Sequence, residues 1–142
     1  VSKDRLFNNF SKNIINNKNI SIYGNNYNTR DGTCIRDFIH VYDLAIVHIK
    51  CLKLFKKIKK FEIFNCGYGK GYSILEIANA FKKITKKYIK VKFKTRRLGD
   101  MEEVITSNYK INKFIKWNPK YNNIKKMITS TYRWHKHISK DY

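Results

Sequence analysis

Three residues could handle a charged ligand between them: Arg36, Arg97 and Asp100. Two guanidinium groups brought together from separate loops can grip a pyrophosphate through bidentate, charge-assisted hydrogen bonds, a fork that lysine cannot reproduce. An ionised carboxylate accepts hydrogen bonds only, which suits Asp100 to a pair of neighbouring hydroxyls. Each residue also has a plainer role. Arg36 can pair with Asp37 or another nearby carboxylate, Arg97 can stand in solvent, and Asp100 can be a turn residue after Gly99. On residue types alone, the plainer roles are preferred for the two arginines.

Other chemistry-bearing groups lead less far. Gly67, Gly69 and Gly71 lie between an expected strand and an expected helix, where a dinucleotide-binding loop would also sit. Their spacing is G-x-G-x-G rather than G-x-G-x-x-G, and the region around Lys90 offers no acidic residue for a ribose. A tight turn into a capped helix is the better reading. Cys34, Cys51 and Cys66 lack paired zinc-ligand spacing and read as reduced packing thiols. His40, His48, His135 and His137 form no convincing metal set or triad, with His40 on an extended segment, His48 on a helix and the last two in the tail. Tyr88 and Lys92 satisfy a Y-x-x-x-K spacing, but they fall at the entrance to and within an expected strand. A catalytic pair of that kind needs consecutive turns of one helix.

The elements that must position these groups follow from periodicity. Leu6 to Ile15 predicts a helix, and Ile20 to Tyr23 a short strand ending at Gly24. Asn25 to Thr33 reads as a loop or hairpin. Cys34 to Val41 is extended, and Asp43 is placed to cap a helix whose shared face carries Leu44, Val47, His48 and Cys51. Ile63 and Phe64 predict a buried strand. Ser73 and Glu76 form a capping-box pattern ahead of the stripe Ile74, Ile77, Ala78, Phe81 and Ile84. Ile89 to Phe93 alternates as a half-buried strand, and two helices, near 107–115 and 123–134, flank the break at Trp117, Asn118 and Pro119.

The chain of 142 residues can bury one core, and residues 1–142 read as a single partial domain. Its formal charge of +21 would ordinarily suggest a nucleic-acid partner. Here the lysines are dispersed from Lys3 to Lys140, as A/T-rich codon usage would produce, and arginine is scarce. The run Lys56–Lys60 reads as the solvated end of a helix and its turn. A polyanion would bind such a chain nonspecifically at low salt. With no long apolar run and a polar N-terminal stretch, no membrane is expected, and a cytoplasmic setting is.

Three stretches carry a family resemblance: Tyr23–Asp43 (YGNNYNTRDGTCIRDFIHVYD), Phe64–Glu76 (FNCGYGKGYSILE) and Arg96–Asp100 (RRLGD). In order and spacing they resemble the UDP-glucose 4-epimerases, over about Leu6 to Trp134. The resemblance implies an α/β architecture: the carboxyl-terminal, substrate-binding portion of a Rossmann-type extended short-chain dehydrogenase, without the amino-terminal cofactor domain. It places Arg36 and Arg97 at the diphosphate, Asp100 at the ribose of UDP, and Ser21, Ile22 and Tyr23 at the uracil. Val104 falls beside the sugar ring, at a position that varies between tyrosine and smaller side chains.

The resemblance further implies an isomerase of galactose metabolism that interconverts UDP-glucose and UDP-galactose. NAD would be bound by the missing amino-terminal half, and the complete protein could pair as a homodimer. No catalytic, cofactor-binding or metal residue is expected in this chain, which would be inactive alone. A related nucleotide-sugar dehydratase or pentose epimerase would share the architecture. A small basic nucleic-acid-binding module ranks last.

Overall fold

Leu6, Phe7, Phe10 and Ile14 recur at helical spacing and define one face of the first helix, α1 (Leu6–Ile15), on which Phe10 and Ile14 are buried. The Lys87 ammonium donates to the carbonyls of Ile14 and Ile15 at 3.2 and 3.4 Å and so satisfies two acceptors at the helix end. The computed structural model describes residues 5–54 and 61–139, and the helix end expected at Lys56–Lys60 lies outside the described residues. The other elements are β1 (Ile20–Tyr23), β2 (Ile35–Asp37), α2 (Val41–Leu54), β3 (Gly71–Ser73), α3 (Ile74–Thr85), β4 (Val91–Lys94), β5 (Glu103–Val104), α4 (Tyr109–Ile115) and α5 (Ile124–Ile138).

Two small sheets organise the chain. β1 pairs with β4 in parallel, Ile20 opposite Val91 and Tyr23 opposite Lys94. In the second sheet β2 is central, antiparallel to β3 and parallel to β5. The main core lies between the β1–β4 ribbon and helices α1, α3 and α5, built from Phe10, Ile14, Ile20, Ile22, Phe81 and Ile128 with their neighbours. A second cluster joins Val47 of α2 to Tyr68, Ile111, Trp117 and Met127. The result is the α/β arrangement expected.

Local signals set the best-predicted elements. Ser73 accepts from the Glu76 N–H while the Glu76 carboxylate accepts from the Ser73 N–H, completing the capping box of α3. Ile77, Ala78 and Phe81 of the predicted stripe are fully buried.

The structure corrects four expectations. Asp43 does not cap α2. It sits inside the first turn, buried, because three donors draw its carboxylate inward: the Tyr68 hydroxyl at 2.6 Å and the N–H groups of Lys120 and Tyr121 at 2.9 and 2.8 Å. His40 takes the capping position instead, with its Nδ1 accepting from the Tyr42 N–H at 3.0 Å and its carbonyl from the Leu44 N–H at 3.0 Å. Ile63 and Phe64 form no strand, since no described strand pairs with them, and Ile63 is exposed for want of a covering face. His48 does not share the buried face of Val47: it is exposed, and its Nδ1–H donates to the Leu44 carbonyl at 2.8 Å. His135 and His137 belong to α5, which continues to Ile138, and His135 is buried.

Candidate functional site

The parallel pairing of β1 with β4 and of β2 with β5 determines where the candidate residues meet. The loop from Thr95 to Glu102 leaves the end of β4 beside Tyr23 and enters β5 beside Ile35 and Arg36. Arg97 and Asp100 are thereby carried to the cleft that β1 and β2 border, which measures about 1350 Å³. Ser21, Ile22, Tyr23, Arg36, Arg97 and Asp100 all line it. Val104 does not. It is partly exposed on β5, in register with Arg36.

Within the cleft the charged groups are loosely held. Arg36 donates to the carbonyl of Ile35 at 2.8 Å, and its second terminal nitrogen lies 3.5 Å from Asp100 Oδ1. That contact is long for a hydrogen bond. Arg36 does not pair with Asp37, whose carboxylate instead accepts from the N–H groups of Tyr68 at 3.2 Å, Gly69 at 2.9 Å and Thr106 at 3.4 Å. The Arg97 guanidinium carbon stands 3.7 Å from the centroid of the Tyr23 ring. A hydrogen bond from Arg97, with the charge of Lys94 behind it, pulls the Tyr23 phenol below its ordinary range.

Arg96 and Arg97 are adjacent but face different structures. Arg96 donates to the side chain of Asn26 at 2.7 Å and also to the Asn26 carbonyl, and it lies 4.0 Å from the Tyr27 ring centroid. It fastens the RRLGD loop to the Asn25–Thr33 loop. The far side of that second loop is tied to α3. Asp31 accepts from the N–H and hydroxyl of Thr33 and from the Ser73 hydroxyl, and Arg30 pairs with Glu76. Burial works to raise the Asp31 pKa, but the hydrogen bonds from Ser73 and Thr33 outweigh it and hold the carboxyl below its usual range.

Sequence reasoning missed the rest of the cleft wall. Asn9 and Asn13 border it from α1, linked by a 3.1 Å hydrogen bond between their side chains, and Ser130 and Trp134 border it from α5. Polar residues four apart on otherwise amphipathic helices were the available signal. His40 also lines the cleft, its Nε2 2.8 Å from the Ser130 hydroxyl, which in turn donates to the Met127 carbonyl at 2.9 Å. Because Nδ1 already accepts from Tyr42, Nε2 carries the proton and donates to Ser130.

The glycine turn does not fit a dinucleotide. The N–H groups of Tyr68 and Gly69 are donated to Asp37, and a Cβ at Gly67 would lie 2.5 Å from the Asp37 carboxylate. The glycine makes room for a carboxylate of the chain itself. Tyr88 stands almost wholly exposed in the connection before β4, and Lys92 lies in the strand, so the two share no helix face.

A family model described as GDP-mannose 4,6 dehydratase matches residues 3–131. The chain belongs to the extended short-chain dehydrogenases that epimerise or dehydrate nucleotide sugars. It is 41% identical over 116 residues to a UDP-glucose 4-epimerase of Lacticaseibacillus casei, covering 82% of this chain and 35% of that protein. It is 42% identical over 117 residues to UDP-arabinose 4-epimerase 1 of Arabidopsis thaliana, covering 82% of this chain and 28% of that protein. Among solved structures, the UDP-glucose-4-epimerase of Stenotrophomonas maltophila, with bound NAD and formylated UDP-arabinopyranose, superposes with a TM-score of 0.92 at 25% identity. That match covers 99% of this chain and 42% of the other. The chain therefore spans about a third of the length of these curated relatives and corresponds to the carboxyl-terminal part of a Rossmann-type fold. The family uses NAD.

Proposed function

We propose that this chain is the UDP-sugar-binding, carboxyl-terminal part of an NAD-dependent UDP-hexose 4-epimerase. One observation carries the reading: Arg36, Arg97 and Asp100, from segments more than sixty residues apart, line a single cleft with Ser21, Ile22 and Tyr23. Arg36 and Arg97 take the diphosphate. The long Arg36–Asp100 contact opens as the ligand arrives, freeing the guanidinium for a phosphate oxygen and the carboxylate for the ribose hydroxyls. Ser21, Ile22 and Tyr23 face the uracil, although the Ile22 side chain is itself packed in the core. Val104 lies outside the lining of this cleft, but at the position that the family resemblance sets beside the sugar ring its small side chain leaves room for a substituent at C2, so the complete enzyme also accepts a 2-N-acetylated hexose. Exclusion of UDP-N-acetylglucosamine by that enzyme would refute this part of the reading.

NAD, which in such an enzyme removes hydride from C4 of the hexose and returns it to the other face, finds no fitting loop among the described residues of this chain. Its site and the catalytic tyrosine and lysine belong to the amino-terminal part, and the chain alone turns over no substrate.

Calorimetric titration of the chain with UDP tests the proposal. UDP is expected to bind, and Arg97→Ala to weaken it by about tenfold or more while leaving the thermal unfolding midpoint unchanged. Equal affinity in the variant, or no binding by the parent chain, would overturn it.

A further inference from the structure

The lysines are scattered along the sequence, but the fold gathers a group of them at one end of the molecule. There the turn between α1 and β1 lies against the connection between α3 and β4. The Lys87 ammonium donates to Asn17 Oδ1 at 3.2 Å as well as to the last carbonyls of α1, and the Ile20 N–H donates to the Lys90 carbonyl at 3.1 Å. Lys18 on the first segment and Lys86 and Lys90 on the second are all exposed. No acidic residue of these segments offsets them. The chain holds no Asp or Glu between Arg5 and Arg30 or between Ile77 and Gly99, and the described ion pairs join Arg30 to Glu76, Arg36 to Asp100 and Lys110 to Glu62.

Tyr88 stands among these cations. It is 92% exposed, and no ring or cation of the described residues covers it. Its neighbour Ile89 is buried and anchors the connection, which leaves the tyrosine ring outside the core between Lys86 and Lys90. The exposed side chains of the facing turn are amides, Asn16, Asn17 and Asn19. An open aromatic face beside uncompensated lysines supplies the two interactions that hold an unpaired nucleic-acid strand: base stacking and neutralisation of phosphates. A duplex keeps its bases stacked on one another and offers none of their faces to the ring. A membrane surface is matched less well, since a helix that enters lipid presents several large apolar side chains, whereas Ile14, Ile20 and Ile89 are buried here. We propose that Lys18, Lys86 and Lys90 around Tyr88 bind single-stranded nucleic acid without regard to sequence, the lysines taking phosphates and the tyrosine stacking on a base. None of these residues lines the cleft, so the inference does not rest on the nucleotide-sugar reading.

Fluorescence anisotropy of a short labelled single strand of mixed sequence, titrated with the chain at several salt concentrations, tests this. The strand is expected to bind, and its affinity to fall as salt rises. Lys18→Gln, Lys86→Gln and Lys90→Gln combined should flatten the log–log salt slope by about 2, since each lost phosphate contact on a single strand removes about 0.7. Lys113→Gln, Lys125→Gln and Lys136→Gln combined remove the same charge from α4 and α5 and should leave the slope nearly unchanged. Tyr88→Ala should weaken the strand by about fivefold or more, and Tyr88→Trp should restore it, while an abasic strand of the same length binds all three alike. Equal losses in the two lysine triples would show that the attraction comes from dispersed charge and would overturn the inference. So would a duplex held as tightly as the single strand, or vesicles of anionic lipid bound through Tyr88 by a chain that binds no strand. Displacement of the strand by UDP would place it in the cleft, overturning the inference while supporting the nucleotide reading.

Discussion

Asp43 and Asp100 are both carboxylates at the junction of a sheet with a helix or loop, yet their surroundings are opposite. Asp43 is buried and accepts from the Tyr68 hydroxyl and from two backbone N–H groups within 2.9 Å. Asp100 faces the cleft with one contact of 3.5 Å to Arg36. Asp31 and Asp37 follow the Asp43 pattern, each consumed by donors of the chain itself. In a chain with only 10 acidic residues against 31 basic ones, a carboxylate left with a single long contact stands out. The difference separates groups that hold the fold from groups that remain available to a ligand.

The largest expected effect tests the locked side. Asp43→Ala strands the buried Tyr68 hydroxyl and two part-buried N–H groups and should cost about 3 kcal/mol of folding stability, read as a shift in the urea midpoint at unchanged slope. Asp100→Ala should stay within about 0.5 kcal/mol, as substitutions outside packed networks usually do. The comparison breaks if the two variants unfold alike.

Two glycines sharpen it at smaller magnitude. A methyl group at Gly67 would lie 2.5 Å from the Asp37 carboxylate and from the Thr106 Cβ, with no space to yield, so Gly67→Ala should cost about 2 kcal/mol. Gly99, between Arg97 and Asp100, has φ +82 but nothing within 4 Å of an added Cβ. Gly99→Ala should cost about 1 kcal/mol, from backbone strain alone, and should weaken UDP as the loop shifts. Measured stabilities in the reverse order would mean that the loop is as tightly packed as the glycine turn.

How far these features could be read from the sequence depends on the distance over which each is encoded. The α1 and α3 helices were legible because a stripe of apolar residues and the Ser73–Glu76 box lie within a few turns. The Asp43 knot was not, because its donors come from Tyr68, Lys120 and Tyr121, far along the chain, the last two through backbone groups that leave no mark in residue type. Adjacent arginines likewise look equivalent until the β4–β5 connection turns Arg96 to Asn26 and Arg97 to Tyr23. The family resemblance nominated Arg36, Arg97 and Asp100, while their convergence required the parallel pairings. The Ile63–Phe64 segment misled because an apolar pair reads as a buried strand whether or not a ladder partner is present.

His40 stands on the boundary between the locked and the open sides, and its titration gives the smallest effect. Its N–H donates to the Tyr68 hydroxyl at 3.1 Å, which ties it to the Asp43 knot, and its ring stacks on Tyr121 at 4.2 Å and borders the cleft. Burial lowers its pKa from the ordinary 6.5, against the opposing charge of Asp43. The geometry agrees, since a proton on Nδ1 would meet the Tyr42 N–H that this atom now accepts, while Nε2 is engaged by Ser130. The neutral ring is therefore favoured in the folded state. Between the lowered folded pKa and 6.5 the unfolded chain binds more protons, so stability falls as the pH drops through that window and is unaffected above it. His40→Gln should remove this component of the pH dependence, so the difference between the two urea-midpoint profiles should shift as the pH drops from 6.5 through the folded pKa, against the parent chain, and stay constant on either side of that window. Profiles that run parallel across the window would show that His40 is as free to protonate as a surface histidine, and would place it wholly on the open side of the comparison.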